Sequence, residues 1–97
     1  MALNPVTAGA RLLASTQVSV GSSPVLVVPG RGTRRSVLLV NIGGSSQIYF
    51  GNSTVSTASG SYLPAIDGAS ISIPTTADVW AVIASGSQNM SVLEAYD

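Results

Sequence analysis

Apolar positions in this chain come in short bursts, without a helical rhythm. From Thr16 onward, runs rich in Val and Ile are separated about every 8 to 12 residues by clusters of Gly, Pro, Ser and Asn, the spacing of strands in a sandwich or barrel. The bursts predict strands at Gln17–Val20, Val25–Val28, Ser36–Ile42, Gln47–Phe50, Ser70–Ile73, Asp78–Ala84 and Asn89–Ala95, with shorter pieces near Thr54–Ser56 and Tyr62–Leu63. Val18 with Val20, Ile71 with Ile73 and Met90 with Val92 recur at every second position, which puts each pair on one sheet face and in the core. No connection is long enough for a crossover helix, so the strands must join antiparallel. The expected fold is all-β: an antiparallel, jelly-roll-like β-sandwich over residues 16–97. Residues 1–15, where Pro5 and Gly9 interrupt scattered apolar residues, read as an extended N-terminal arm.

Four stretches carry turn chemistry. Pro29-Gly30-Arg31-Gly32 and Gly43-Gly44-Ser45-Ser46 tolerate positive φ, Asp67-Gly68 is a hairpin signal, and Ser85-Gly86-Ser87 separates the last two strands; the last three predict hairpins. Gly51 to Ser61 is polar, rich in Ser and Thr, and flanked by Tyr49 and Tyr62, so it reads as an extended surface loop where variable contacts gather.

Composition narrows the chemistry. The 97 residues suit one domain, and 8% charged against 45% hydrophobic excludes a disordered or coiled-coil chain. There is no Cys, His or Lys, and the acids are Asp67, Asp78, Glu94 and Asp97. Zinc sites, iron–sulfur clusters, disulfides, thiol nucleophiles and imidazole bases lack their atoms, and a serine nucleophile lacks its usual base. Asp67 and Asp78 fit a glycosidase-like acid and base pair less well than carboxylates bonding nearby backbone N–H groups, since one sits in a turn and the other at the start of a strand. The expectation is no enzyme, no cofactor and no metal. Net charge is zero, with basic groups limited to Arg11, Arg31, Arg34 and Arg35, too few for a nucleic-acid partner. The apolar runs Val25–Val28 and Val37–Val40 fall far short of the roughly 20 residues of a spanning helix, and Met1–Ala14 lacks the pattern of a signal peptide; a soluble chain without a membrane partner is expected.

Three readings compete for Arg31, Arg34 and Arg35: a solvated turn guarding the apolar strand that follows, a patch that bridges to an acidic partner, or an anion site. Trp80 lies in an apolar run without alternation, which predicts a strand covered on both faces and a core tryptophan ahead of a subunit anchor. Tyr49, Phe50 and Tyr62 offer either a stacking platform for sugar rings or packing under the loop. The continuous runs Val25–Val28, Val37–Val40 and Val79–Ile83 exceed the needs of one small core, so homo-oligomerisation is expected.

One succession of residues suggests a family. Arg34-Arg35, Val37-Leu38-Leu39-Val40-Asn41-Ile42-Gly43, Gln47-Ile48-Tyr49-Phe50-Gly51, Leu63-Pro64-Ala65, Gly68-Ala69-Ser70-Ile71, Val79-Trp80-Ala81-Val82 with Ala84-Ser85-Gly86, and Val92-Leu93-Glu94 resembles the small β-sandwich structural proteins of tailed bacteriophages, of the capsid decoration (cement) or head-fibre type. The likeness covers residues 16–97. It implies a non-enzymatic virion protein, made in the host cytoplasm and displayed on the capsid surface as a homo-oligomer, most often a trimer, that bridges neighbouring major capsid protein subunits. The resemblance carries no residue-level binding motif. From the sequence itself, the arm residues Asn4, Pro5, Val6, Arg11, Leu12 and Leu13 with Arg31, Arg34 and Arg35 are the capsid-contact candidates. The alternative is a tail or fibre module that binds a host receptor or glycan through Tyr49, Asn52 and Tyr62.

Overall fold

The structure is a computed structural model and describes residues 11–97; the candidates Asn4, Pro5 and Val6 lie outside the described residues. Eight strands follow one another with no helix among the described residues: β1 (Leu12–Val20), β2 (Val25–Val28), β3 (Arg34–Asn41), β4 (Ile48–Gly51), β5 (Ser61–Leu63), β6 (Ser70–Ile73), β7 (Val79–Val82) and β8 (Gln88–Tyr96). They form two four-stranded antiparallel sheets, ordered β1-β8-β3-β6 and β2-β7-β4-β5. The fold is therefore the expected all-β sandwich. Its pairing is nested: β1 with β8, β2 with β7, β3 with β6 and β4 with β5. The chain behaves as one long hairpin closed at β4–β5 and then rolled up, so that successive pairs fall in opposite sheets.

Period-two burial builds the interior. Val37, Leu39 and Asn41 of β3, Met90, Val92 and Glu94 of β8, and Val79 and Ala81 of β7 point inward and are buried. Val20, Val27, Val28, Ile48, Phe50, Leu63 and Ile83 complete the core, with Val18, Val25 and Ile73 packed against it. The three pairs read from alternation do share faces, because Val18 lies opposite Met90, Val20 opposite Gln88, and Ile71 and Ile73 opposite Leu39 and Val37, but Ile71, on the edge strand β6, is exposed and stays outside the core.

The three predicted hairpins do not form. Gly43, Gly44, Gly68 and Gly86 do adopt positive φ, but the β3–β4, β5–β6 and β7–β8 turns each carry the chain from one sheet to the other. Turn chemistry sets local dihedrals, whereas the partner of a strand is decided by which faces must be buried. Among the described residues, the only strands adjacent in sequence that pair are β4 and β5, across the loop of residues 52–60. Thr54–Ser56 is irregular rather than a strand, and Val55 is buried beneath that loop.

Two strands start two or more residues earlier than expected. β1 begins at Leu12, so residues 12–15 belong to the sheet, where they pair with Tyr96 to Leu93, and are not part of an arm. Their sequence hides this, because Leu12 and Leu13 are both exposed (48% and 69%) and no alternation is visible. β3 begins at Arg34, two residues before Ser36, across a bulge in its pairing with β8.

Candidate functional site

Both ends of the sandwich are closed by buried polar residues. At one end Arg34, whose side chain is fully buried, donates to the carbonyls of Thr75 (3.1 Å), Ala77 (2.8 Å) and Pro29. Its Nε lies 3.7 Å from Glu94 Oε1, and Arg31 Nε donates to the same carboxylate at 3.1 Å. That hydrogen bond holds the Arg31 guanidinium above its ordinary pKa, and Arg31 also lies 3.7 Å over the centre of the Tyr96 ring. Arg35 donates to Asp97 at 2.8 Å, and the same carboxylate accepts the Arg11 N–H at 3.2 Å. This settles what the arginines contact within the chain: their carboxylate partners are the chain's own Glu94 and Asp97. Arg34 has no exposed surface to offer a capsid, which removes its side chain from the contact candidates. Arg31 and Arg35 remain partly exposed.

At the opposite end the sheet-crossing turns are tied together. Gln88 Oε1 accepts the backbone N–H groups of Ser45 (3.1 Å) and Ser46 (3.2 Å), while Asn41 Nδ2 donates to the carbonyls of Ser46 (2.9 Å) and Pro64 (3.0 Å). Asp67 Oδ1 accepts the Gly43 N–H at 2.9 Å, and Asp78 Oδ1 accepts the Gly30 N–H at the other end. Each acid thus bonds backbone from its own end of the sandwich, and the structure does not bring Asp67 and Asp78 together as an acid and base pair.

Two outer faces remain. On the β1-β8-β3-β6 sheet, register places Leu13 beside Ala95, Leu93 beside Leu38, and Val40 beside Ser91. Ser15, Gln17, Ser70 and Ser72 fill the margins, so no charged residue stands between the ends of this face. Leu13 is the most exposed large apolar residue described, while Leu38, Val40 and Leu93 are half-buried.

The outer face of the second sheet is aromatic. Tyr49 and Tyr62 are cross-strand partners with ring centroids 5.5 Å apart. Phe50 points the other way, into the core, so it is not part of any platform. Trp80 is a correction in the opposite sense: it alternates with buried Val79 and Ala81, faces outward and is half-buried. Its neighbour on β4 is Gly51, over which the buried Val55 packs, and a cleft of about 400 Å³ beside Trp80 is lined by Asn52, Ser53, Ala77, Asp78 and Trp80. Asn52, Tyr49 and Tyr62, the recognition candidates read from the sequence, therefore border one surface. Trp80 was missed because its juxtaposition with Gly51 depends on strand register, which one sequence does not display. Glu94 did leave a signal: it continues the inward row of Met90 and Val92, a carboxylate at a core position that demands a cationic partner.

No protein-family model, curated protein or solved structure matches this chain.

Proposed function

We propose that this protein is a non-enzymatic assembly module: a homo-oligomeric phage decoration protein, a trimer on the capsid surface, that binds and bridges major capsid protein subunits after synthesis in the host cytoplasm. The observation that carries the reading is the contrast among the sheet edges. Three are short and guarded by proline: β2, of four residues, lies between Pro24 and Pro29, while β5, of three, and β6, of four, are followed directly by Pro64 and Pro74. β1 runs nine residues with neither proline nor charge, although long edges of this kind invite pairing with another chain. It borders the uncharged outer face that carries Leu13, Leu93 and Leu38, so edge and face make one continuous surface for protein contact.

The nested strand order supports the same reading, because we take it as that of a jelly roll, an architecture used by capsid and lectin domains alike. Several such surfaces on one oligomer raise avidity by linking weak contacts. The test is co-sedimentation of the purified protein with undecorated, expanded capsids. Saturation at a copy number set by the symmetry sites is expected, and a folded protein that stays in the supernatant would sink the reading. The aromatic face favours a second reading, a tail or fibre module that binds a host receptor or glycan.

A further inference from the structure

We infer that the outer face of the β2-β7-β4-β5 sheet is a binding site for a neutral glycan, with Trp80 at one end of the ligand and Tyr62 at the other. This inference rests on the second reading above, whose ligand class and binding residues it names, and concerns a different face from the assembly surface. β7, β4 and β5 are consecutive strands, so at about 4.8 Å per strand the three aromatic positions spread over about 10 Å, enough to underlie a short oligosaccharide. The tilt of 48° between the Tyr49 and Tyr62 rings breaks any single flat platform into steps, as successive sugar rings require.

Polar groups decide the ligand class. Val55 of the 52–60 loop packs over Gly51, and the cleft beside Trp80, lined by Asn52, Ser53, Ala77 and Asp78, holds an acceptor and a donor. Asp78 uses Oδ1 on the Gly30 N–H, and its second oxygen has no partner among the described residues. Asn52 uses Oδ1 on the Thr54 N–H (2.9 Å) and hydroxyl (2.7 Å), which leaves its Nδ2 donor unengaged among the described residues. Apolar ring faces with a few convergent hydrogen-bonding groups match a polyhydroxyl ligand, whose C–H faces stack while its hydroxyls both donate and accept. A protein hot spot would instead favour arginine beside the aromatics, and no arginine lines this cleft. The lone carboxylate and the absence of any cation in the lining argue against an anionic sugar.

Trp80 is the only tryptophan in the chain, so its fluorescence reports on this site alone. The full chain should be titrated with neutral hexasaccharides of glucose, mannose, galactose and N-acetylglucosamine, with calorimetry in parallel. A saturable change with at least one of them is expected, at a Kd between about 1 µM and 1 mM. Tyr62→Ala, at an exposed position that the fold does not need, should weaken binding about tenfold, and Trp80→Ala should abolish the calorimetric signal. Leu13→Ser, on the other sheet, should change nothing. No saturable signal from any hexasaccharide up to about 10 mM overturns the inference. So does binding that survives both aromatic substitutions, or loss of capsid co-sedimentation by Tyr62→Ala without sugar binding, which would make the face a protein contact.

Discussion

Glu94 and Arg34 show how a single buried pair governs one end of the molecule. Arg34 is buried with three backbone carbonyls accepting from its two terminal nitrogens, while its Nε makes no hydrogen bond and faces the Glu94 carboxylate at 3.7 Å, so its charge is tolerated through those carbonyls and that carboxylate together. Arg34→Met would strand those carbonyls and leave Glu94 with Arg31 alone, at a cost of about 3–5 kcal/mol. That is a large part of the 5–15 kcal/mol typical of a small domain. Urea unfolding followed through Trp80 should show the lowered midpoint. The double variant Arg34→Met/Glu94→Met should lose less than the two single losses combined, since it removes the unpaired charge along with its partner. Asp97 gives the pH signature. The hydrogen bond from Arg35 holds its carboxyl below the ordinary 3.8, so the pair's contribution is complete above that value and disappears as pH falls through the lowered folded-state pKa. The urea midpoint of the parent should therefore exceed that of Arg35→Gln at neutral pH, and the gap should close in acid below pH 3.8. A gap that is constant with pH would mean Arg35 acts through packing alone.

At the scale of elements, the corners matter more than the strands they join. A Cβ on Gly44 would overlap the Asp67 amide nitrogen, at φ +69°, because the β3–β4 turn lies against the β5–β6 turn. Gly68 has a similar φ of +86° but open space around its Cβ position. Gly68→Ala should therefore cost only the backbone strain, about 1–2 kcal/mol, while Gly44→Ala should cost more because the two corners must also separate. Thermal unfolding of the two variants isolates the clash as the difference between them. The same corners explain what the sequence displayed and what it withheld. Strand identity was legible where one face alternates or an apolar run stands between prolines: β6 and β2 have the predicted limits, and β8 lies within a residue of them at each end. Residues 12–15 were illegible because both leucines of β1 are exposed, and the hairpins failed because glycine at positive φ serves a sheet-crossing corner as well as it serves a two-stranded turn. Of the candidate site, Tyr49, Asn52 and Tyr62 could be read from the loop they flank, but Trp80 and Gly51 meet only through register.

For the whole molecule, the decisive question is what the long edge and its neighbouring face do in solution. Leu93 sits at the centre of that face, on β8 between Ser15 of β1 and Leu38 of β3. A lysine there keeps its aliphatic stem over the sheet and places its charge in water, so the isolated subunit should lose no more than about 1 kcal/mol. Buried against a second copy, the same charge would have no partner, since that face carries none. Gln17→Lys applies the same logic to the edge, where lysine is the residue that blunts strand pairing. Sedimentation velocity of the parent should show an oligomer, Leu93→Lys should shift it to monomer, and Gln17→Lys should shift it at least in part, with circular dichroism unchanged in both. Capsid co-sedimentation should fall with the oligomer, because linked weak contacts lose their avidity once the links are cut. A parent that is already monomeric, with capsid binding indifferent to both substitutions, would assign β1 and its face to no assembly role and leave the aromatic sheet as the molecule's working surface.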